Sequence, residues 1–100
     1  MLAVISTLPS IRRTPGHTPG GTCLVINDHV FTGDTIFAGS VGRTDLPGGD
    51  WNTLCESLVK AMKEIPGDYI LHPGHGLHTT LKNEMLKNPF LIPLLKRVNS

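Results

Sequence analysis

The apolar positions of this chain change period about halfway along it. Before residue 33 they fall in short β-type runs, and after residue 50 they recur at helical spacing. Residues 22–26 are a run rich in β-branched side chains, Asn27-Asp28 is a turn signal, and residues 29–32 form the hairpin partner. Upstream, residues 2–5 make a short apolar run that Pro9 and Ser10 separate from the rest of the chain. Residues 11–13 lead into a loop, 14–21, punctuated by two Pro-Gly pairs, and residues 33–49 form a second, longer loop with several glycines. Leu54, Leu58, Ala61, Met62 and Ile65 then mark one face of a helix packed on a sheet. Asp50 or Asn52 caps that helix, Thr53 with Glu56 has the spacing of a capping box, and Pro66-Gly67 ends it. Residues 69–71 are a short strand running into His72-Pro73-Gly74-His75-Gly76, and a helix of about two turns starts after Thr80 and stops at Asn88-Pro89. The order predicts an α/β layer without internal repeats.

Composition narrows the function classes. Nine basic residues stand against eight acidic ones and are dispersed along the chain. That balance predicts neither a nucleic-acid nor a membrane-surface binder, either of which would carry a basic patch. The longest apolar stretch, 90–95, is interrupted by Pro93 and is far short of a membrane span. The first residues lack the basic start and small-residue cleavage site of a secretory signal. Cys23 and Cys55 are too few for a disulfide framework, and one predicted strand and one predicted helix place them as buried thiols. A reducing cytoplasm is the expected compartment.

Chemistry concentrates in the loops beside predicted strands. His17, Asp34 and His75 each sit in such a loop with glycine or proline nearby, which stiffens the backbone or lets it approach closely. Two imidazoles and a carboxylate form a donor set suited to zinc or to non-haem iron, and a carboxylate has two oxygens with which to bridge a pair of cations. The three are 17 and 41 residues apart, so only folding can assemble them. Any one of them alone reads as an ordinary turn residue. Among the other histidines, His29 opens a strand at the surface, His72 packs or caps a strand end, and His78 lies at the rim of the site.

Taken together, the motifs resemble a known family. Thr14-Pro-Gly-His-Thr-Pro-Gly20, Thr32-Gly-Asp-Thr-Ile-Phe37 and Pro73-Gly-His-Gly76 are similar, in sequence and order, to the third, fourth and fifth signatures of the metallo-β-lactamase superfamily. Gly42-Arg-Thr-Asp-Leu-Pro-Gly-Gly-Asp50, Thr79-Thr80 and Asn88-Pro-Phe-Leu91 look like its compact glyoxalase II-like branch. The resemblance covers residues 11–91, with 1–10 as an atypical leading segment and 92–100 as a tail. It implies half of an αβ/βα sandwich, a mixed β-sheet with flanking helices. It also implies that His17 completes one metal site, Asp34 bridges two metals, His75 completes the second, and Arg43 meets the glutathione part of a substrate. Asp34 stands near the position where many true β-lactamases carry a cysteine, which argues against that activity.

The resemblance then implies hydrolysis of a small thiolester, one linked to glutathione, by a water activated on Zn²⁺ or iron. Two alternatives stay open. One is a persulfide dioxygenase with a single iron. The other is a chain without catalysis of its own that self-associates or needs a complementing first half. The family's opening motif, Thr-His-x-His-x-Asp-His, does not occur in the sequence, so most of the remaining ligands are expected from elsewhere.

Overall fold

The computed structural model describes residues 10–18 and 20–99; the run at 2–5 and Pro19 lie outside them. Seven strands and three helices are arranged in chain order: β1 (Ser10–Arg13), β2 (Thr22–Ile26), β3 (His29–Gly33), β4 (Ile36–Phe37), β5 (Ser40–Val41), α1 (Trp51–Glu64), β6 (Ile70–Pro73), β7 (Thr79–Thr80), α2 (Leu81–Lys87) and α3 (Leu95–Val98). A 3-10 turn, Ile92–Leu94, leads into α3. The main sheet has the order β1-β2-β3-β6-β7, and β4 and β5 form a separate hairpin. Among the described residues of this sheet only β3 and β6 run parallel; the other three neighbouring pairs are antiparallel. The sheet is therefore mixed, as the family resemblance implies.

Alternation along the strands divides the sheet into two faces. Cys23, Val30 and Leu71 are buried and join Leu54, Leu58, Met62, Leu81, Leu91 and Leu94 in one core, so the helices cover that side. On the other side Ile11, Leu24, Phe31 and His72 stand in adjacent register across four strands. Ile11 is 70% and Phe31 45% exposed, an apolar row open to solvent.

The long helix obeys its periodicity. Leu54, Leu58, Ala61 and Met62 are buried, and Ile65 closes the helix as its buried C-cap. Asp50 is the N-cap: its carboxylate accepts from the Thr53 backbone N–H at 3.3 Å and also from the Thr53 hydroxyl. Thr53 is thus inside the first turn and not the head of a capping box with Glu56. The second helix starts at the cap Thr80, whose hydroxyl accepts from Asn83 N, and stops before Asn88 as expected. Residues 92–98, read as a tail, turn back as the 3-10 turn and α3, and Leu94, Leu95 and Val98 pack against the core.

Several short elements were not visible in the residue pattern, β1 and the β4–β5 hairpin among them. Strand β1 has all four residues exposed and combines Ile11 with two arginines, as suits a strand at the edge of the sheet formed by the described residues. Arg12 meets Glu64 of α1 at 3.0 Å. The β4–β5 hairpin has strands of two residues, too short to show any period.

If the core rests on α1, Leu58→Ala should lower unfolding free energy by about 2–5 kcal/mol in urea titrations. Leu77→Ala, at a side chain 77% exposed, should stay within about 0.5 kcal/mol. Similar losses for the two would contradict this assignment of the core.

Candidate metal centre

The direction of the strands decides where the site lies. Because β3 and β6 are parallel, their ends emerge at the same edge of the sheet, Asp34 just after β3 and His75 just after β6. Strand β2 is antiparallel to β3, so its start lies at that edge too, and the β1–β2 loop carrying His17 sits there. A bond from Gly74 N to Gly33 O, 2.8 Å, ties the two strand ends directly.

The loop around His17 is pinned from several sides. Thr14 N donates to Gly21 O, Asp50 N to Gly16 O at 2.7 Å, and the Ser57 hydroxyl to Pro15 O at 2.7 Å. Gly16 has φ +137° and lies so close to α1 that a Cβ there would be 2.3 Å from Leu54 Cα, which only glycine allows. Beneath the loop, the Thr14 and Thr35 hydroxyls meet at 3.1 Å, with Cys23 Sγ 3.6 Å from Thr14. Burial raises the Cys23 thiol pKa, partly offset by its bonds to the two threonines; burial also raises that of Cys55, with Arg97 opposing it. Both cysteines are free and buried, which makes them packing groups and not nucleophiles.

Asp34 is the common point. Its Oδ2 is 3.7 Å from His17 Nε2 and its Oδ1 is 3.3 Å from His75 Nδ1, so each carboxylate oxygen faces a different imidazole. His17 Nδ1 is 2.6 Å from the Arg43 carbonyl oxygen. A carbonyl only accepts, so Nδ1 carries a proton and donates, and in the neutral ring it is the Nε2 lone pair that turns toward Asp34. His75 is the least enclosed of the three, 81% exposed against 22% for His17, and it tilts toward Phe37 with ring centroids 6.3 Å apart. Gly42 completes the enclosure: a Cβ there would lie 2.0 Å from the Asp34 carbonyl oxygen and 3.0 Å from His17 Cβ.

This donor chemistry fits a divalent metal, but it does not close a shell. Among the described residues no group of three or more His, Cys, Asp or Glu is placed to hold a metal ion. Two imidazoles around one carboxylate are fewer donors than a closed metal shell needs, and at a bound metal the rest would come from water or from protein outside these residues.

The sequence did not reveal the groups that hold the wall of this site. Glu84 is 2% and Asn88 0% exposed, and both act on the β4–β5 hairpin. Glu84 accepts from Gly39 N and from the Thr79 hydroxyl, each at 2.8 Å, and from Asn88 Nδ2 at 3.0 Å. Asn88 Nδ2 also donates to Ser40 O at 3.0 Å. The hairpin so held contributes Phe37, Ser40 and Val41 to a depression that His17, Asp34, Gly42 and Arg43 complete. Arg43 itself is exposed, its guanidinium paired twice with Asp45 at 2.7 and 2.8 Å. That pairing raises the Arg43 pKa and lowers that of Asp45.

A mixed sheet whose strand-end loops gather two histidines around an aspartate places the chain in the Metallo-beta-lactamase superfamily, to which it belongs by a family match over residues 3–75. It is 42% identical over 83 residues to the hydroxyacylglutathione hydrolase GloC of Haemophilus influenzae, covering 81% of this chain and 39% of that protein. It is 40% identical over 86 residues to human mitochondrial persulfide dioxygenase ETHE1, covering 80% of this chain and 34% of that one. Among solved structures, TTHA1623 in a di-iron-bound form matches with a TM-score of 0.80 and 44% identity, covering 83% of this chain and 42% of that one. The BLEG-1 B3 metallo-β-lactamase matches at 0.79 and 41%, covering 83% and 41%. The chain spans between about a third and two fifths of the length of these proteins.

Burial raises the Glu84 pKa, but its bonds from Gly39, Thr79, Asn88 and Asn83 outweigh that and leave it below the usual carboxylate range. A depressed folded-state pKa gives stability that is fully present above the unfolded value, about 4.3, and lost as pH falls through the folded one. Glu84→Gln keeps one acceptor oxygen where the carboxylate has two, so its NH2 must face either the Gly39 N–H and Asn88 Nδ2 or Asn83 Nδ2. It should therefore be less stable at pH 7 and should lose less on acidification below about pH 5. Thermal unfolding of both proteins across that range checks this; equal slopes would contradict it.

Proposed function

We propose that this chain is the C-terminal half of a glyoxalase II-like hydrolase that cleaves small thiolesters, glutathione-linked ones in particular, with a metal-activated water. The observation that carries the reading is Asp34, with one carboxylate oxygen turned to His17 and the other to His75. His17, Asp34 and His75 would hold divalent metal, zinc or iron, since imidazole and carboxylate suit both. Bound metal supplies a Lewis acid that lowers the pKa of water and polarises the thiolester carbonyl.

The chain's own residues have separate tasks in this reading. The Arg43 carbonyl fixes the tautomer of His17, so its Nε2 is available without a proton having to leave. Phe37 and Val41 give the substrate an apolar wall. The Arg43 guanidinium, held extended by Asp45, would exchange that partner for a glutathione carboxylate. The open row of Ile11, Leu24 and Phe31 is the face against which a complementing first half of the sandwich would pack, bringing the missing ligands.

A persulfide dioxygenase with one iron is the second reading, supported by the 40% identity to the human persulfide dioxygenase. The test is to express the chain alone and together with a first half from the Haemophilus enzyme. Bound metal, thiolester hydrolysis and oxygen uptake with glutathione persulfide are then measured. The hydrolase reading expects little activity from the chain alone and hydrolysis with two metals in the complemented protein. Persulfide-dependent oxygen uptake with a single iron would replace it by the second reading. Full hydrolysis by the chain alone would contradict the need for a first half. In the active protein Arg43→Ala should raise KM for a glutathione thiolester more than it lowers kcat, because Arg43 would grip the remote end of the substrate. A loss confined to kcat would assign it to the chemistry instead.

A further inference from the structure

Behind the site lies a buried carboxylate that the proposed hydrolysis does not use. Glu84 of α2 is 2% exposed, and each of its oxygens serves a different segment. Oε1 accepts from Gly39 N at 2.8 Å and from Asn88 Nδ2 at 3.0 Å. Asn88 Nδ2 also donates to Ser40 O, so this side of the carboxylate holds the turn between β4 and β5. Oε2 accepts from the Thr79 hydroxyl at 2.8 Å and from Asn83 Nδ2 at 3.3 Å. Thr79 opens β7, directly after the loop, 74–78, that carries His75.

That loop is held at its two ends. At the start Gly74 N bonds to Gly33 O, and at the end Thr79 pairs with Leu71 and reaches Glu84. Between those points His75 is 81% exposed, facing Asp34 and tilted toward Phe37 of the hairpin. His75 and Phe37 are thus neighbours at the front of the site, and one carboxylate joins the segments that carry them at its back. The four partners of Glu84 are a backbone N–H, a hydroxyl and two side-chain amides, and each donates to it. Only a group that accepts on both sides can join them; a glutamine would turn its NH2 toward a donor on one side or the other.

We propose that Glu84 is a positioning residue for the hydrolysis: it couples the β4–β5 hairpin to the His75 loop, so that the apolar wall at Phe37 and the imidazole of His75 keep one spacing. The inference rests on the reading of Asp34 as the centre of a metal site. Thr79 is the link through which Glu84 acts on His75, and Gly39 is the link through which it acts on the hairpin. A ligand as open to solvent as His75 must be ordered each time an ion binds, unless its loop is already held. Release of the Thr79 bond therefore weakens metal binding without touching a ligand. It also lets the hairpin shift, because the same carboxylate holds both.

The test compares two variants of the full chain: Thr79→Val keeps the branched shape and removes the hydroxyl, while Thr79→Ser keeps the hydroxyl. Zn²⁺ affinity is measured by calorimetry, and backbone amide shifts of the isotope-labelled, metal-free chain by NMR. Thr79→Val should bind Zn²⁺ about tenfold more weakly, the lower end of what groups behind a ligand contribute, and Thr79→Ser should match the unaltered chain. In metal-free Thr79→Val the amides of Gly39 and Ser40, across Glu84 from the substitution, should shift along with those of His75 and Gly76. Gly16 and Gly21, in the His17 loop, should stay in place. Glu84→Gln should move both sets as well, so the result does not hang on one variant folding. Unmoved Gly39 and Ser40 amides in both Thr79→Val and Glu84→Gln would overturn the proposal. So would an equal loss of Zn²⁺ affinity in Thr79→Val and Thr79→Ser, which would assign the effect to packing and not to the bond. A chain that takes up no Zn²⁺ in any form would count against the metal reading of Asp34 instead, and the amide shifts would still decide the role of Glu84.

Discussion

Parallel pairing of β3 with β6 sends two strand ends out of the same edge of the sheet, and the placement of the site depends on it. Were those strands antiparallel, Asp34 and His75 would leave at opposite ends of the domain. The bond from Gly74 N to Gly33 O locks this arrangement at the point where both strands leave the sheet. A parallel pair needs a crossover between its strands, and α1 lies in that crossover. The apolar stripe of α1 covers the sheet, while its first turns fix the His17 loop through Asp50, Ser57 and Leu54. One helix thus serves the core and the site at once.

The enclosure of the site depends on backbone contacts more than on side-chain chemistry. Gly16 and Gly42 occupy places where any Cβ would collide, with Leu54 in one case and with the Asp34 carbonyl in the other. The Arg43 carbonyl orients His17, whereas its side chain turns away to Asp45. Glu84 and Asn88 are the buried polar groups that hold the facing hairpin, and each is satisfied by several bonds, as a group so deeply buried must be.

The legible parts of the sequence were those with a repeating physical signature. The helical stripe from Leu54 to Ile65 and the β2–β3 hairpin around Asn27-Asp28 are where the pattern puts them. His17, Asp34 and His75 were identified by motif and are brought together by the fold. The parts that the sequence hid were short or edge-placed. Strand β1 is an exposed edge, β4 and β5 have two residues each, and α3 comes after a proline-bearing 3-10 turn. Glu84 and Asn88 read as residues of an amphipathic helix and its stop signal. Their partners, Gly39 and Ser40, lie more than 40 residues away, which no local pattern encodes. The contact of His29 Nδ1 with His72 Nε2, 2.9 Å, was equally hidden, because it depends on the register of a parallel pair.

The central claim is that Asp34 organises two histidines into the beginning of a metal centre. The most direct measurement is anomalous diffraction from crystals of this chain loaded with zinc or iron. The account predicts anomalous density about 2.0–2.2 Å from an Asp34 carboxylate oxygen and from a nitrogen of His17 or His75, lost in crystals of Asp34→Asn. Density absent from Asp34, with metal found only at other residues, would contradict it.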